Sequence, residues 1–263
     1  MKKMLARLPV IIIGIPAVYW LFVLAGNPVR LAFLAIVALL GQYELCRMLD
    51  KGTRKPVIDW ILAVVIMVCT YFFKEKGMVA AFAGSVIVTM LQTVFRGLKG
   101  DGIKQFCHIL FGLFYLPFCL SCFYLFSEKF GGMALFVILA SIWALDIGAY
   151  IFGCSIGGPK LAPMISPNKT ISGAIGGAIC SVAFLFCAGH YGWVNLPQPN
   201  LLVASICIAI IGQVADLFES IIKREAEVKD SSSLLGAHGG ILDRIDSVLF
   251  LGPLCYYIFT FFC

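Results

Sequence analysis

The chain has 263 residues, 61% of them hydrophobic and 13% charged, with a net charge of +6 and a mean hydropathy of +0.97. Soluble domains carry about 25% charged residues, so an aqueous globule is excluded, and a bundle of helices of about 20 residues each uses nearly the whole length as membrane spans. The basic residues are spread over five connections rather than gathered into one patch, which gives no footing to nucleic-acid binding.

Hydropathy with charged punctuation predicts helices over 9–25, 29–48, 57–73, 78–95, 106–126, 132–153, 170–189, 200–222 and 241–262. The expected fold is therefore all-α: a polytopic transmembrane helical bundle of about nine spans, embedded in the lipid bilayer. Met1-Lys2-Lys3 before an apolar run resembles a signal peptide, with Val23-Leu24-Ala25 shaped like a cleavage site. So many spans follow that an uncleaved first span is expected instead. If the N-terminus is cytoplasmic, sixteen of the twenty Lys and Arg residues fall on that side, leaving Arg30, Lys74, Lys76 and Lys129 opposite. This positive-inside bias fixes the expected orientation and turns the connections at 154–169 and 223–240 toward the cytoplasm. Residues 1–130 are expected to form a framework and 131–263 a catalytic region, within one integral membrane unit.

Within the first five segments polar residues are few. Glu44, near the end of the second, is expected to snorkel or to pair with Arg47, with a role toward substrate as the alternative. The eleven cysteines lie almost wholly in apolar runs, where cysteine behaves as a small hydrophobe. Cys119 and Cys122 form a C-x-x-C mid-span, without a charged or His neighbour to lower a thiol pKa.

The sixth segment carries Asp146 at mid-depth, and an aspartate there costs a few kcal/mol on insertion scales, which marks it as a functional candidate. Its alternative role is to be satisfied by a neighbouring helix. Ala149, Tyr150 and Gly153 share its face. The next connection is shaped by glycine and proline and ends in Lys169, Thr170 and Ser172 at the start of the seventh helix, where free backbone N–H groups suit phosphate. A plain turn and N-cap explain Thr170 nearly as well, and Gly173 with Gly177 fit helix packing. On the eighth helix Asp216, Ser220 and Lys223 lie on one stripe leading toward the charged loop, and Asp243 and Asp246 share a face at the start of the ninth. Three carboxylates on two cytoplasmic helix ends, beside Lys223, Arg224, Lys229 and Arg244, suit a hard cation and a polyphosphate. In the loop between them, Gly239 and Gly240 follow His238 and allow close approach of backbone to a ligand.

The chain has three histidines, no G-x-S-x-G and no H-E-x-x-H, so acyl transfer and zinc hydrolysis are poorly provided for. A reaction whose nucleophile is already an anionic phosphate needs no strong base; it needs cations that bring two anions together and stabilise the leaving pyrophosphate.

The run Ser220-x-x-Lys223-Arg224-x₄-Lys229-Asp230-x₇-His238-Gly239-Gly240-x-x-Asp243-Arg244-x-Asp246 resembles the signature of the phosphatidate cytidylyltransferase (CDP-diacylglycerol synthase) family. Asp146-x-x-Ala149-Tyr150-x-x-Gly153 and Ser166-Pro167-x-Lys169-Thr170-x-x-Gly173 are similar to two further motifs of that family, with Ser172 standing where many members have Glu or Gln. The resemblance implies an inner-membrane enzyme, usually a homodimer, that converts CTP and phosphatidate to CDP-diacylglycerol and pyrophosphate with Mg²⁺ and a monovalent ion such as K⁺. It implies Asp216, Asp243 and Asp246 as cation ligands, with Asp146 beside or among them and Ser172 near the second ion. Lys169, Lys223, Arg224, Lys229 and Arg244 would receive phosphates. Two other readings are a CTP-dependent polyprenol or phytol kinase, which would release CDP, and an ion-coupled transporter, which would spread its acids through the membrane depth.

Overall fold

The computed structural model describes residues 8–97, 101–195, 198–236 and 239–262. Its helices are α1 (Leu8–Tyr19, continued by a π-turn over Trp20–Leu24), α2 (Asn27–Leu49), α3 (Val57–Arg96), α4 (Gly102–Phe130), α5 (Gly132–Ser155), α6 (Ile171–His190), α7 (Gln198–Glu225), α8 (Leu242–Leu249) and α9 (Leu251–Phe262). The fold is an all-α polytopic membrane bundle, and six of its described helices are long and apolar enough to cross a bilayer. The expected ninth segment breaks at Phe250 into α8 and α9. Two proline-linked wide turns, after Pro16 and across Pro117, sit where the ring removes a donor from the helical ladder.

The two segments expected at 57–73 and 78–95 form one element, α3, with non-helical backbone at Lys74. A straight helix of that length would separate its ends by about 60 Å, yet Val57, Ile58 and Ile61 line the same cavity as Gln92 and Arg96. The chain therefore doubles back at Lys74, and Gly77 admits the turn: a Cβ there would stand 2.2 Å from the Cys69 carbonyl oxygen.

The centre of the bundle is α4, whose most apolar stretch is 78% buried, against 33–44% for the other five long helices. Tyr115, Tyr124 and Phe126 are enclosed there, and Phe259 of α9 packs edge-on against Phe126 with ring centroids 5.0 Å apart. Cys119 and Cys122 are buried as free thiols in this core.

Helices α5 and α6 make the most extensive helix pair among the described residues. Small residues allow it: a Cβ on Gly177 would lie 2.6 Å from the Leu145 carbonyl oxygen, and one on Gly173 2.7 Å from that of Ala149. Gly173 and Gly177 thus serve helix packing, the reading the spacing offered. Their connection holds an element that the sequence reading lacked, an antiparallel hairpin of β1 (Lys160–Ala162) and β2 (Ser166–Thr170). Thr170 caps α6, its Oγ1 accepting from the Gly173 N–H at 3.1 Å.

At the α2–α3 connection Arg54 bridges Asp50, 2.7 Å from its Nε, and Asp59, which takes both terminal nitrogens. His108 of α4 closes the network at 2.7 Å from Asp50. Burial pushes the Asp50 carboxyl up, but the hydrogen bonds from His108 and Arg54 and the guanidinium charge outweigh it and hold the group below its usual range.

Candidate active site

Helices α5, α6 and α7 and the hairpin enclose a cavity of about 670 Å³, lined by Asp146, Tyr150, Lys169, Thr170, Gln213 and Asp216 among others. Asp146 is exposed to it from the middle of α5, the depth at which a carboxylate needs a reason. Among the described residues it makes no hydrogen bond or ion pair. Lys169, carried in by β2, pairs with Asp216. Asp246, on the second turn of α8, lies within electrostatic reach of both Asp146 and Asp216 and accepts from the Ser247 N–H at 2.6 Å. Of the four acids singled out from the sequence, Asp146 and Asp216 thus share the cavity, and Asp246 lies close enough to feel both.

Asp243 goes elsewhere. Its Oδ1 stands 2.7 Å from Lys223 Nζ, and its Oδ2 accepts from the backbone of Ser231 and of Gly240, both at 2.8 Å, and from the Ser231 hydroxyl at 2.9 Å. Both oxygens are engaged by the protein, so here it anchors a loop. Lys223 also pairs with Glu219, one turn back on α7, a carboxylate with no exposed surface. Sequence reasoning passed over Glu219, although Glu219 and Lys223 stand at the i, i+4 spacing at which helical ion pairs form.

The remaining candidates surround this core. Ser172 donates to the Gly157 carbonyl, and its Oγ lies 3.2 Å from that of Thr170, which ties the turn after α5 to the start of α6. Arg224 reaches the carbonyl of Ile165 at 3.4 Å and so fastens the hairpin to α7. Lys229 and Arg244 are exposed. His238 lies outside the described residues, as do Lys2, Lys3 and Arg7 of the expected cytoplasmic N-terminus.

Glu44 corrects its expectation. It has no exposed surface, so it does not snorkel, and its partners are distant in sequence rather than Arg47. Oε1 accepts from the Ser232 hydroxyl at 2.6 Å and the Ile241 N–H at 3.0 Å; Oε2 accepts from the Ser231 hydroxyl at 3.0 Å and the Leu242 N–H at 2.8 Å. Gly239 and Gly240 are required by these carboxylates: a Cβ on Gly240 would lie 2.6 Å from both Glu44 oxygens, and one on Gly239, at φ +78°, 2.7 Å from Asp243 Oδ2. Both glycines thus stand in close approach to acidic side chains of the chain itself.

Chemically, the site offers hard oxygen donors facing a cavity, with Lys169 among them and Lys223 adjacent. Among the described residues no three His, Cys, Asp or Glu side chains already form a metal cage.

The profile of the Cytidylyltransferase family matches residues 5–262. The chain belongs to that family. It is accordingly a nucleotidyltransferase, and the acids and lysines just described are its candidates for handling phosphates. Phosphatidate cytidylyltransferase of Bacillus subtilis (strain 168) is 32% identical over 251 residues, covering 89% of this chain and 90% of its own. The Staphylococcus epidermidis protein of the same name (strain RP62A) is 33% identical over 236 residues, 88% of this chain and 90% of its own. That of Staphylococcus haemolyticus (strain JCSC1435) reaches 50% over 113 residues, 43% of this chain and 44% of its own.

Proposed function

We propose that this nucleotidyltransferase moves the cytidylyl group of CTP onto phosphatidate, yielding CDP-diacylglycerol and pyrophosphate for phospholipid synthesis. The observation that carries the reading is the meeting of Asp146, Asp216 and Lys169 at one cavity, with Asp246 of α8 within electrostatic reach of both acids, in a chain with phosphatidate cytidylyltransferases as relatives over about nine tenths of its length.

A phosphate oxygen of phosphatidate attacks the α-phosphorus of CTP in line. The bond from that phosphorus to the α–β bridging oxygen breaks, and its electron pair leaves with pyrophosphate. The nucleophile is already anionic, so no general base is required, and no covalent enzyme intermediate forms. Lys169, Lys223, Arg224, Lys229, Arg244 and His238 take phosphates of the two substrates, with Thr170 and Ser172 at the cavity edge. Hard oxygen donors fit Mg²⁺, which commonly takes only one or two protein carboxylates and fills its octahedron with water and substrate phosphates. Asp216 and Asp246 would hold it, with Asp146 beside them and K⁺ as a second cation, and it would supply positive charge against the oxygens of the α-phosphoryl and pyrophosphate groups. Asp243, with both oxygens engaged, is assigned to orienting Lys223 rather than to ligation.

In the same reading the protein is a homodimer of the cytoplasmic membrane with nine crossings, its N-terminus and site facing the cytoplasm. Residues 1–130 are its framework and 131–263 its catalytic region. Asp216→Asn and Asp246→Asn should each lower Mg²⁺-dependent turnover at least about a hundredfold, the scale of losing one stabiliser of transition-state charge. Full turnover in either variant contradicts the assignment.

A further inference from the structure

We propose that Glu44, from the framework half of the chain, is a positioning residue for the site: its buried carboxylate holds Ser231 and Ser232 against the start of α8 at Ile241 and Leu242 and, through Ser231, sets the Asp243–Lys223 pair. This goes beyond the functional reading above and rests on it only for the role given to Lys223.

Helix α8 carries Asp243 and Asp246, and its residue at the N-cap is Ile241, which has no side-chain acceptor for the free N–H groups of the first turn. Glu44 supplies that acceptor from α2, bonding the N–H groups of Ile241 and Leu242 at 3.0 and 2.8 Å. A carboxylate there also meets the positive end of the α8 dipole. The orientation of the helix bearing two site acids is thereby fixed by a residue almost two hundred positions away in sequence.

The second part of the device is Ser231. Its hydroxyl lies 3.0 Å from Glu44 and 2.9 Å from Asp243, so one side chain stands between the two carboxylates. Asp243 in turn holds Lys223 at 2.7 Å. The chain of contacts Glu44–Ser231–Asp243–Lys223 runs from the framework to the cation expected to meet phosphate. Gly240 leaves room for it, since a Cβ there would meet Ser231 Oγ at 2.1 Å. A side chain kept merely to fill space would not need three donors of its own, and a hydroxyl shared with Asp243, set around its two oxygens.

The test uses full-length protein in detergent, with Glu44→Gln, Glu44→Asp, Ser231→Ala and, as control, the exposed neighbour Arg47→Ala. Glu44→Gln turns one oxygen into a donor facing donors. The KM for CTP, which does not depend on the fraction of enzyme folded, should rise about tenfold, the size of one lost buried hydrogen bond. Ser231→Ala should raise it about threefold, Glu44→Asp should recover part of the loss, and Arg47→Ala should match the parent. Tryptic cleavage after the exposed Lys229 should quicken in Glu44→Gln and Ser231→Ala. A KM for CTP within twofold of the parent in both Glu44→Gln and Ser231→Ala overturns the proposal, whatever happens to Vmax. If the parent protein makes no CDP-diacylglycerol, the functional reading fails, and the cleavage rates alone decide on the clamp, unchanged rates overturning it.

Discussion

Replacing Lys223 by methionine isolates the electrostatics of the α7–α8 junction. The Lys223 side chain is 13% exposed, and its two partners, Glu219 and Asp243, are 0% and 7% exposed. Removing one member of so enclosed a group strands the opposing charge, at a cost of about 3–5 kcal/mol. Asp243 is the smaller part of that cost, because the N–H groups of Ser231 and Gly240 still hold it, beside a Ser231 hydroxyl that it shares with Glu44. Glu219 is the larger part, since Lys223 is its one ion-pair partner among the described residues. In a protein of this size each kcal/mol moves the thermal midpoint by roughly 2–4 °C, so Lys223→Met should lower it on the order of 10 °C in detergent. The double variant Lys223→Met/Glu219→Gln, which strands no charge on α7, should regain more than half of that loss while remaining inactive. Equal midpoints for the single and double variants would refute the reasoning, as would a single variant within about 2 °C of the parent.

Two other perturbations probe the scaffold. Asp50 is held below its ordinary value, near 3.9, so its network contributes stability that is present above that value and lost as pH falls through the lower, folded one. Asp50→Asn should therefore be less stable at neutral pH yet show a shallower loss of thermal midpoint on acidification below about pH 4; parallel acid limbs in the two proteins would contradict this. Gly177→Val, with a Cβ forced to within 2.6 Å of the Leu145 carbonyl oxygen, should push α5 and α6 apart and cost about 1–3 kcal/mol, measurable as a lower midpoint, whereas a neutral effect would deny the close packing.

The spans and the acids were legible in the sequence because each is a departure from a strong local rule. Apolar runs fall on helices, and Lys74-Glu75-Lys76 marks the reversal within α3 as charge does elsewhere in the chain. Asp146 and Asp216 stand out because carboxylates are rare in apolar surroundings, and they line one cavity, with Asp246 within electrostatic reach. What spacing could not supply was the partner of Glu44, whose donors lie 187 to 198 positions away. Local spacing offered only Arg47, three residues on, and so misplaced the side chain. Spacing was equally silent on the partners of Asp243: its type and position suit a cation, but the donors that meet it come from a loop whose path only the fold determines. The β1–β2 hairpin escaped because its strands are three and five residues long and interrupted by Pro167, with no alternation to read.

In the proposed reaction the α-phosphoryl group of CTP is transferred to a lipid phosphate. Purified protein given phosphatidate, Mg²⁺ and CTP labelled at either the α- or the γ-phosphorus distinguishes the possible fates of the nucleotide. The account predicts that the α-label enters the lipid as CDP-diacylglycerol while the γ-label leaves as pyrophosphate. Release of CDP with the γ-label on the lipid, as a CTP-dependent lipid kinase would give, would contradict it.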